Sequence, residues 1–364
     1  MRYQFQFRRY RLPLRVAVRT AHGVWTEREG VIIRLENEAG IAGLGEAAVI
    51  PWFGTETADE AEEVCRELGG RVDEARLDGV PARLRCLRNA IASARLEVGR
   101  DFSPASVAKI EKGRAEAPPY LPVAALLPAG RASLAAIPSR AESGFRVFKW
   151  KVGVGDSADE LALLDDVCAV LPNGAKLRLD ANGAWDRRKA ERWLERCADR
   201  PVEFIEQPIA TDAKGADDLL LGLAHDFPTS IALDESVASD GDVERWLGAG
   251  WPGVFVVKPS LLGDAAGTLG NLGRANASVV FSSALETAVG AKAALRVAFA
   301  WGHSSRSTGP GPAGSGQVGE RRALGFGVWP LFADARFDGP AAAPFVRWED
   351  VERINPEVIW NALS

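Results

Sequence analysis

A chain of 364 residues, 47% of them hydrophobic, has enough apolar material for one large domain with a smaller partner. Its 44 basic and 49 acidic side chains are interspersed and sum to −5, which leaves no basic footprint for nucleic acid and no polybasic membrane patch, so a small-molecule substrate is expected. Neither a signal-peptide core nor an apolar run of the roughly 18 residues a membrane span needs is visible, and the expected compartment is the cytoplasm.

The first hundred or so residues read as strands followed by helices. Strand-like apolar runs occupy 16–18 and 30–36, and the turn Asn37-Glu38-Ala39-Gly40 returns the second into 41–46, making a hairpin. Helical spacing follows at 57–68, with Thr57 or Asp59 as cap, and again at 81–98. Cys65 and Cys86 lie here; with Cys168 and Cys197 they show no C-x-x-C spacing and are expected as reduced thiols.

From about Leu121 the pattern changes to short apolar segments, at 122–127, 145–152, 176–180, 202–206, 230–234, 253–258 and 278–282, each followed by a helical stretch. Alternating strand and helix predict a parallel sheet closed into a barrel. The Gly/Ser/Pro-rich stretch 304–319 breaks the pattern and reads as a mobile loop that leaves the last barrel strand unplaced. The segment from Ala341, with Trp348 and Trp360, is apolar enough to be expected back against the N-terminal module.

The strand ends carry the chemistry. Lys151, Asp180, Glu206, Asp234, Lys258 and Ser282 are spaced by 29, 26, 28, 24 and 24 residues, one strand and helix each time, so their side chains should converge at the C-terminal mouth of the barrel. One strand-end carboxylate alone would more simply cap the next helix. Three in successive units, flanked by lysines, need a hard cation to offset their repulsion, and oxygen donors without histidine or cysteine favour magnesium, with manganese able to substitute. Period-2 alternation puts Arg178, Asp180 and Asn182 on one face with Leu177 and Leu179 against the helices, and puts Lys149 beside Lys151 with Trp150 opposite. Each lysine of that pair should depress the other's pKa, making a neutral amine available as a base.

The segments Phe148-Lys149-Trp150-Lys151, Leu179-Asp180-Ala181-Asn182, Phe204-Ile205-Glu206-Gln207-Pro208, Leu233-Asp234-Glu235-Ser236 and Val257-Lys258-Pro259-Ser260 resemble, in order and spacing, the enolase superfamily in its muconate-lactonising branch. Gly45-Glu46-Ala47-Ala48, the run from Pro51 to Thr57, and Phe281-Ser282-Ser283-Ala284-Leu285-Glu286-Thr287 are similar to the o-succinylbenzoate synthase family within it. The resemblance implies a modified TIM (β/α) barrel at 116–325, an α+β capping domain at 1–115, and a C-terminal segment, 326–364, packed on the cap. It further implies Asp180, Glu206 and Asp234 as Mg2+ ligands with Asn182 and Glu235 supporting them. Lys151 is then the acid and base of a syn-dehydration, assisted by Lys149, and Lys258 is the cation beside the substrate ring. Ser282, Ser283, Phe53 and Trp25 are expected to bind a small carboxylate substrate, with cap residues 19–25 and 51–55 closing the site.

Alternatives within the superfamily are an N-acylamino acid racemase or dipeptide epimerase, using Lys151 and Lys258 on opposite faces, and a muconate-type cycloisomerase. Against the epimerases stands the absence of an Asp-x-Asp motif between Gly319 and Leu331. A non-catalytic metal-binding or structural protein would have no use for every charged rung. His22, His225 and His303 are scattered and read as surface or packing residues, with His22 alone near the expected lid. The 11 tryptophans read as core, and Gly153 and Gly155 lack the dinucleotide fingerprint.

Overall fold

In the computed structural model, which describes residues 1–20, 23–99, 120–304 and 322–363, the opening stretch forms one long strand, β1 (Arg2–Thr20), where only 16–18 was expected. Its buried side chains change parity: Tyr3 and Phe5 join one core, Tyr10, Leu12 and Leu14 another. β1 pairs antiparallel with β2 (Gly23–Asn37), which turns into β3 (Ala42–Ala47) as the expected hairpin. At the turn Asn37 Oδ1 accepts from the N–H groups of Ala39 and Ile41 at 3.0 and 2.9 Å, and Gly40 takes φ 76°. β4 (Arg71–Asp73) completes the sheet, in the order β3-β2-β1-β4.

Two helices, Ala58–Leu68 and Arg85–Val98, cover one face. Thr57 and Glu60 form a capping box at the first. The second comes so close to β3 that a Cβ on Gly45 would stand 1.9 Å from the Ala90 carbonyl oxygen.

Seven parallel strands build the larger sheet: β6 (Ala125–Leu127), β7 (Val147–Lys151), β8 (Lys176–Asp180), β9 (Val202–Glu206), β10 (Ile231–Leu233), β11 (Val254–Val257) and β12 (Ser278–Phe281). The segment expected at 122–127 is divided: β5 (Tyr120–Pro122) leaves the barrel to pair with β13 (Phe345–Arg347), and β6 pairs with β7. Residues 323–325 close the ring. Leu324 N donates to Pro122 O at 2.8 Å and Gly325 N to Phe281 O at 2.8 Å, bridging the two edges where the sequence left the last strand unplaced.

Alternation sends Phe204, Ala232, Val254, Val256 and Val280 into a core of their own, while Leu177, Leu179, Ile205, Leu233 and Val257 join the outer core with the barrel helices. Arg178 is buried with the ring of Phe204, its Nε donating to Glu203 at 2.6 Å and its Nη1 to Ala323 O at 2.7 Å. Thus one charged side chain of β8 ties it to β9 by an ion pair and to the closing strand by a hydrogen bond. Past it, Trp360 lies under the Arg8 guanidinium at 4.2 Å and Glu357 pairs with Arg34 at 3.1 Å, whereas Trp348 packs 5.4 Å from Phe299 of the barrel helix Ala288–Ser304.

All four cysteines are free thiols, and no helix among the described residues is long and apolar enough to cross a membrane. His22 and, apart from Ser304, the loop expected at 304–319 lie outside the described residues.

Candidate active site

Parallel register lines up the ladder. Lys151 stands opposite Asp180, and Asp180 opposite Glu206; Asp234 and Lys258 follow one residue past the ends of β10 and β11. Five of the expected rungs therefore form an arc over neighbouring strands, with Lys151 at one end and Lys258 at the other. Ser282, one residue past β12, is buried next along the rim and donates to Gly325 O at 3.3 Å.

Within the arc, the Lys149 ammonium bridges Asp180 Oδ2 at 2.9 Å and Glu206 Oε1 at 2.7 Å, and Lys258 pairs with Asp234. The mutual pKa depression expected of Lys149 and Lys151 holds for only one of them. Burial lowers Lys151 below the ordinary lysine value; Asp180 opposes this and the Lys149 charge adds to it. Burial would lower Lys149 too, but Asp180, Glu206 and Asp234 outweigh it and hold the amine charged. Burial pushes Glu206 and Glu235 upward, with the neighbouring carboxylates acting in the same direction.

Asn182 and Glu235 are hydrogen-bonded to each other, Nδ2 donating to Oε1 at 3.0 Å. Their other oxygens, Asn182 Oδ1 and Glu235 Oε2, are buried without a hydrogen-bond partner. Among the described residues no three acidic, histidine or cysteine side chains form a closed metal cage, because the carboxylates turn toward the lysines. In chemistry the donor set fits a hard divalent cation: three carboxylates on adjacent strand ends, no nitrogen or sulfur donor among them, and unsatisfied oxygens behind.

The cap reaches the arc through Phe53, whose ring centroid lies 4.6 Å from Lys258 Nζ. Trp25 packs on Trp52 at 4.1 Å and lies 5.6 Å from the Arg28 guanidinium, which itself donates to Ala284 O and Leu285 O beyond Ser283. Ser283 is turned into its own loop, its hydroxyl donating to Glu286 at 3.0 Å.

Sequence reasoning passed over two supports. Glu160 collects the N–H groups of Gly153, Val154 and Gly155 at 2.7, 3.1 and 3.0 Å, fixing the loop that leaves Lys151. Glu46 accepts from Tyr10, the backbone and hydroxyl of Thr287, and Gly290 N, so a buried carboxylate of the cap seats the start of a barrel helix. The motif containing Glu46 was visible, but not its partners, and no motif marked Glu160. A groove of about 500 Å³ between the cap helix Arg85–Val98 and the barrel helices Asp240–Gly248 and Ala265–Arg274 contains no rung of the ladder.

Comparison with known proteins bears on the assembly. Residues 133–310 match the family described as Enolase C-terminal domain-like. An o-succinylbenzoate synthase of Thermosynechococcus vestitus is 40% identical over 303 residues, covering 82% of this chain and 89% of the relative. One from Yersinia pseudotuberculosis serotype I is 28% identical, covering 80% and 85%. The crystal structure of o-succinylbenzoate synthase from Thermosynechococcus elongatus BP-1, complexed with magnesium in the active site, superposes with a TM-score of 0.77 at 34% identity, covering 99% of each chain. Muconate lactonizing enzyme from Pseudomonas fluorescens shares the fold, with a TM-score of 0.66 at 22% identity over 82% and 84%. The chain belongs to the o-succinylbenzoate synthase family of the enolase superfamily, a family of hydro-lyases.

Proposed function

We propose that the protein catalyses the magnesium-dependent syn-dehydration of 2-succinyl-6-hydroxy-2,4-cyclohexadiene-1-carboxylate to 2-succinylbenzoate, a cytoplasmic step in menaquinone or phylloquinone synthesis. The observation that carries this reading is one arc of three carboxylates with Lys151 and Lys258 at its two ends. The likeness to o-succinylbenzoate synthases over four fifths of the chain supports the substrate.

Asp180, Glu206 and Asp234 would hold the cation, with Asn182 and Glu235 behind them. The cation supplies Lewis-acid stabilisation of negative charge on the substrate carboxylate. Lys151, made less basic by burial, takes the α-proton on Nζ and then, as an ammonium, returns it to the departing hydroxyl on the same face, releasing water and the aromatic ring. Lys149 stays charged, bridging Asp180 and Glu206. Lys258 presents a fixed positive charge from the other side as the enediolate forms. Phe53 and Trp25 would roof the substrate space, and Ser282 and Ser283 would shape its wall.

The test is turnover and α-proton exchange in deuterated water, with purified protein, Mg2+ and the cyclohexadiene acid. Chelation should abolish turnover, and Mg2+ or Mn2+ should restore it. Lys151→Ala should lose both exchange and product, while Lys258→Ala should lose rate. Exchange retained by Lys151→Ala would remove it as the base; rapid racemisation of an N-acylamino acid without dehydration would replace the synthase reading.

A further inference from the structure

Gln207 follows Glu206 in the chain, is fully buried, and takes a φ of 40°, a backbone conformation that side chains rarely adopt. Its carboxamide is fully used. Oε1 accepts from the N–H groups of Asp234 at 3.0 Å and Ser236 at 3.1 Å, while Nε2 donates to Ser236 Oγ at 2.7 Å and Ile209 O at 2.9 Å. Its backbone is engaged as well: the N–H donates to Ala232 O at 2.8 Å, and the carbonyl accepts from Gly183 N at 2.6 Å. One residue thus joins the loop after β8, the end of β9 and the end of β10.

Asp234 lies just past the end of β10, whose last paired residue is Leu233 opposite Phe255. Its backbone φ of −118° and ψ of −76° turn away from the extended form, and its N–H is taken by the Gln207 side chain rather than by a neighbouring strand. The place where the Asp234 carboxylate leaves the backbone is therefore set by a side-chain strut anchored beside Glu206. We propose that Gln207 is a positioning residue that fixes the spacing of the Glu206 and Asp234 carboxylates, and through it the affinity of the site for a divalent cation. This rests on the reading that those carboxylates hold the metal.

Magnesium binding to the full chain, measured by calorimetry without substrate, tests the strut. Gln207→Met keeps the side chain's length and deletes all four of its hydrogen bonds. Ser236→Ala deletes one hydroxyl that Nε2 holds. Thr229→Ala removes a buried hydroxyl elsewhere, one that donates to Leu194 O at 2.9 Å, and serves as the control for a purely structural loss. Thermal stability is expected to fall in all three. The magnesium dissociation constant should rise about 10- to 100-fold in Gln207→Met, by a smaller factor in Ser236→Ala, and not at all in Thr229→Ala. Equal affinity in Gln207→Met and the unaltered protein overturns the strut. If Gln207→Met does not fold, unchanged affinity in Ser236→Ala overturns it. Failure of the unaltered protein to bind magnesium overturns the metal reading itself, which is a separate result.

Discussion

Glu286 is fully buried, and burial pushes its carboxyl up to about 7, with the Glu46 charge adding to the shift and the Ser283 hydroxyl opposing it. Between the ordinary value of 4.5 and about 7, the folded protein keeps a proton that the unfolded chain has released, so stability falls as pH rises through that window. Glu286→Gln keeps an oxygen for Ser283 and has nothing to ionise. Urea denaturation should find this variant more stable than the unaltered protein by roughly 1–3 kcal/mol at pH 8, with the gap closing toward pH 4 to 5; a gap independent of pH would mean that Glu286 is not the titrating group. Its motif was legible in the sequence, but its burial beside Glu46 was not, since the two are separated by 240 positions. The lysine pair teaches the same lesson. Alternation put Lys149 and Lys151 on one face, but burial lowers Lys151 while cross-strand carboxylates outweigh burial at Lys149, and a single strand's pattern locates neither influence.

Among the elements, those with a clean period were legible. β8 and β9 have the expected bounds, and the helix at Ala58–Leu68 is capped by Thr57, one of the two candidates. β1 was not, because its apolar residues switch from odd to even positions between Phe5 and Tyr10, as one part of the strand faces the cap core and the rest the barrel core. Residues 323–325 are too few to show a period at all. Close approach between elements is equally silent in the sequence, and glycine is its trace. Gly45→Ala would drive a Cβ to 1.9 Å from the Ala90 carbonyl oxygen and force the helix Arg85–Val98 off β3. Chemical denaturation should show a loss of about 1–3 kcal/mol or more. Gly222, inside the helix Ala216–Asp226, would meet nothing within 4 Å, so Gly222→Ala should gain roughly 0.5–1 kcal/mol. Equal effects at the two glycines would contradict the packing argument.

At the scale of the whole molecule, the barrel carries the charged arc, the cap brings the Phe53 ring to Lys258, and Glu46 joins the two parts. Its carboxylate is buried and accepts from Tyr10 on one side and from Thr287 and Gly290 on the other. Glu46→Gln would turn an N–H donor toward groups that are themselves donors, loosening the seam at a cost of roughly 1–3 kcal/mol. Phe53 lies over Lys258 only while the cap is seated, whereas Asp180, Glu206 and Asp234 all stand on barrel strands or their ends. The expected outcome is an increase in KM for the cyclohexadiene acid with magnesium affinity unchanged. Phe53→Ala should give the same split without the loss in stability at the seam. Steady-state kinetics paired with magnesium calorimetry on both variants decides the matter: a parallel fall in magnesium affinity would show that the cap shapes the carboxylate arc itself, and unchanged KM in both would move the roof away from Phe53.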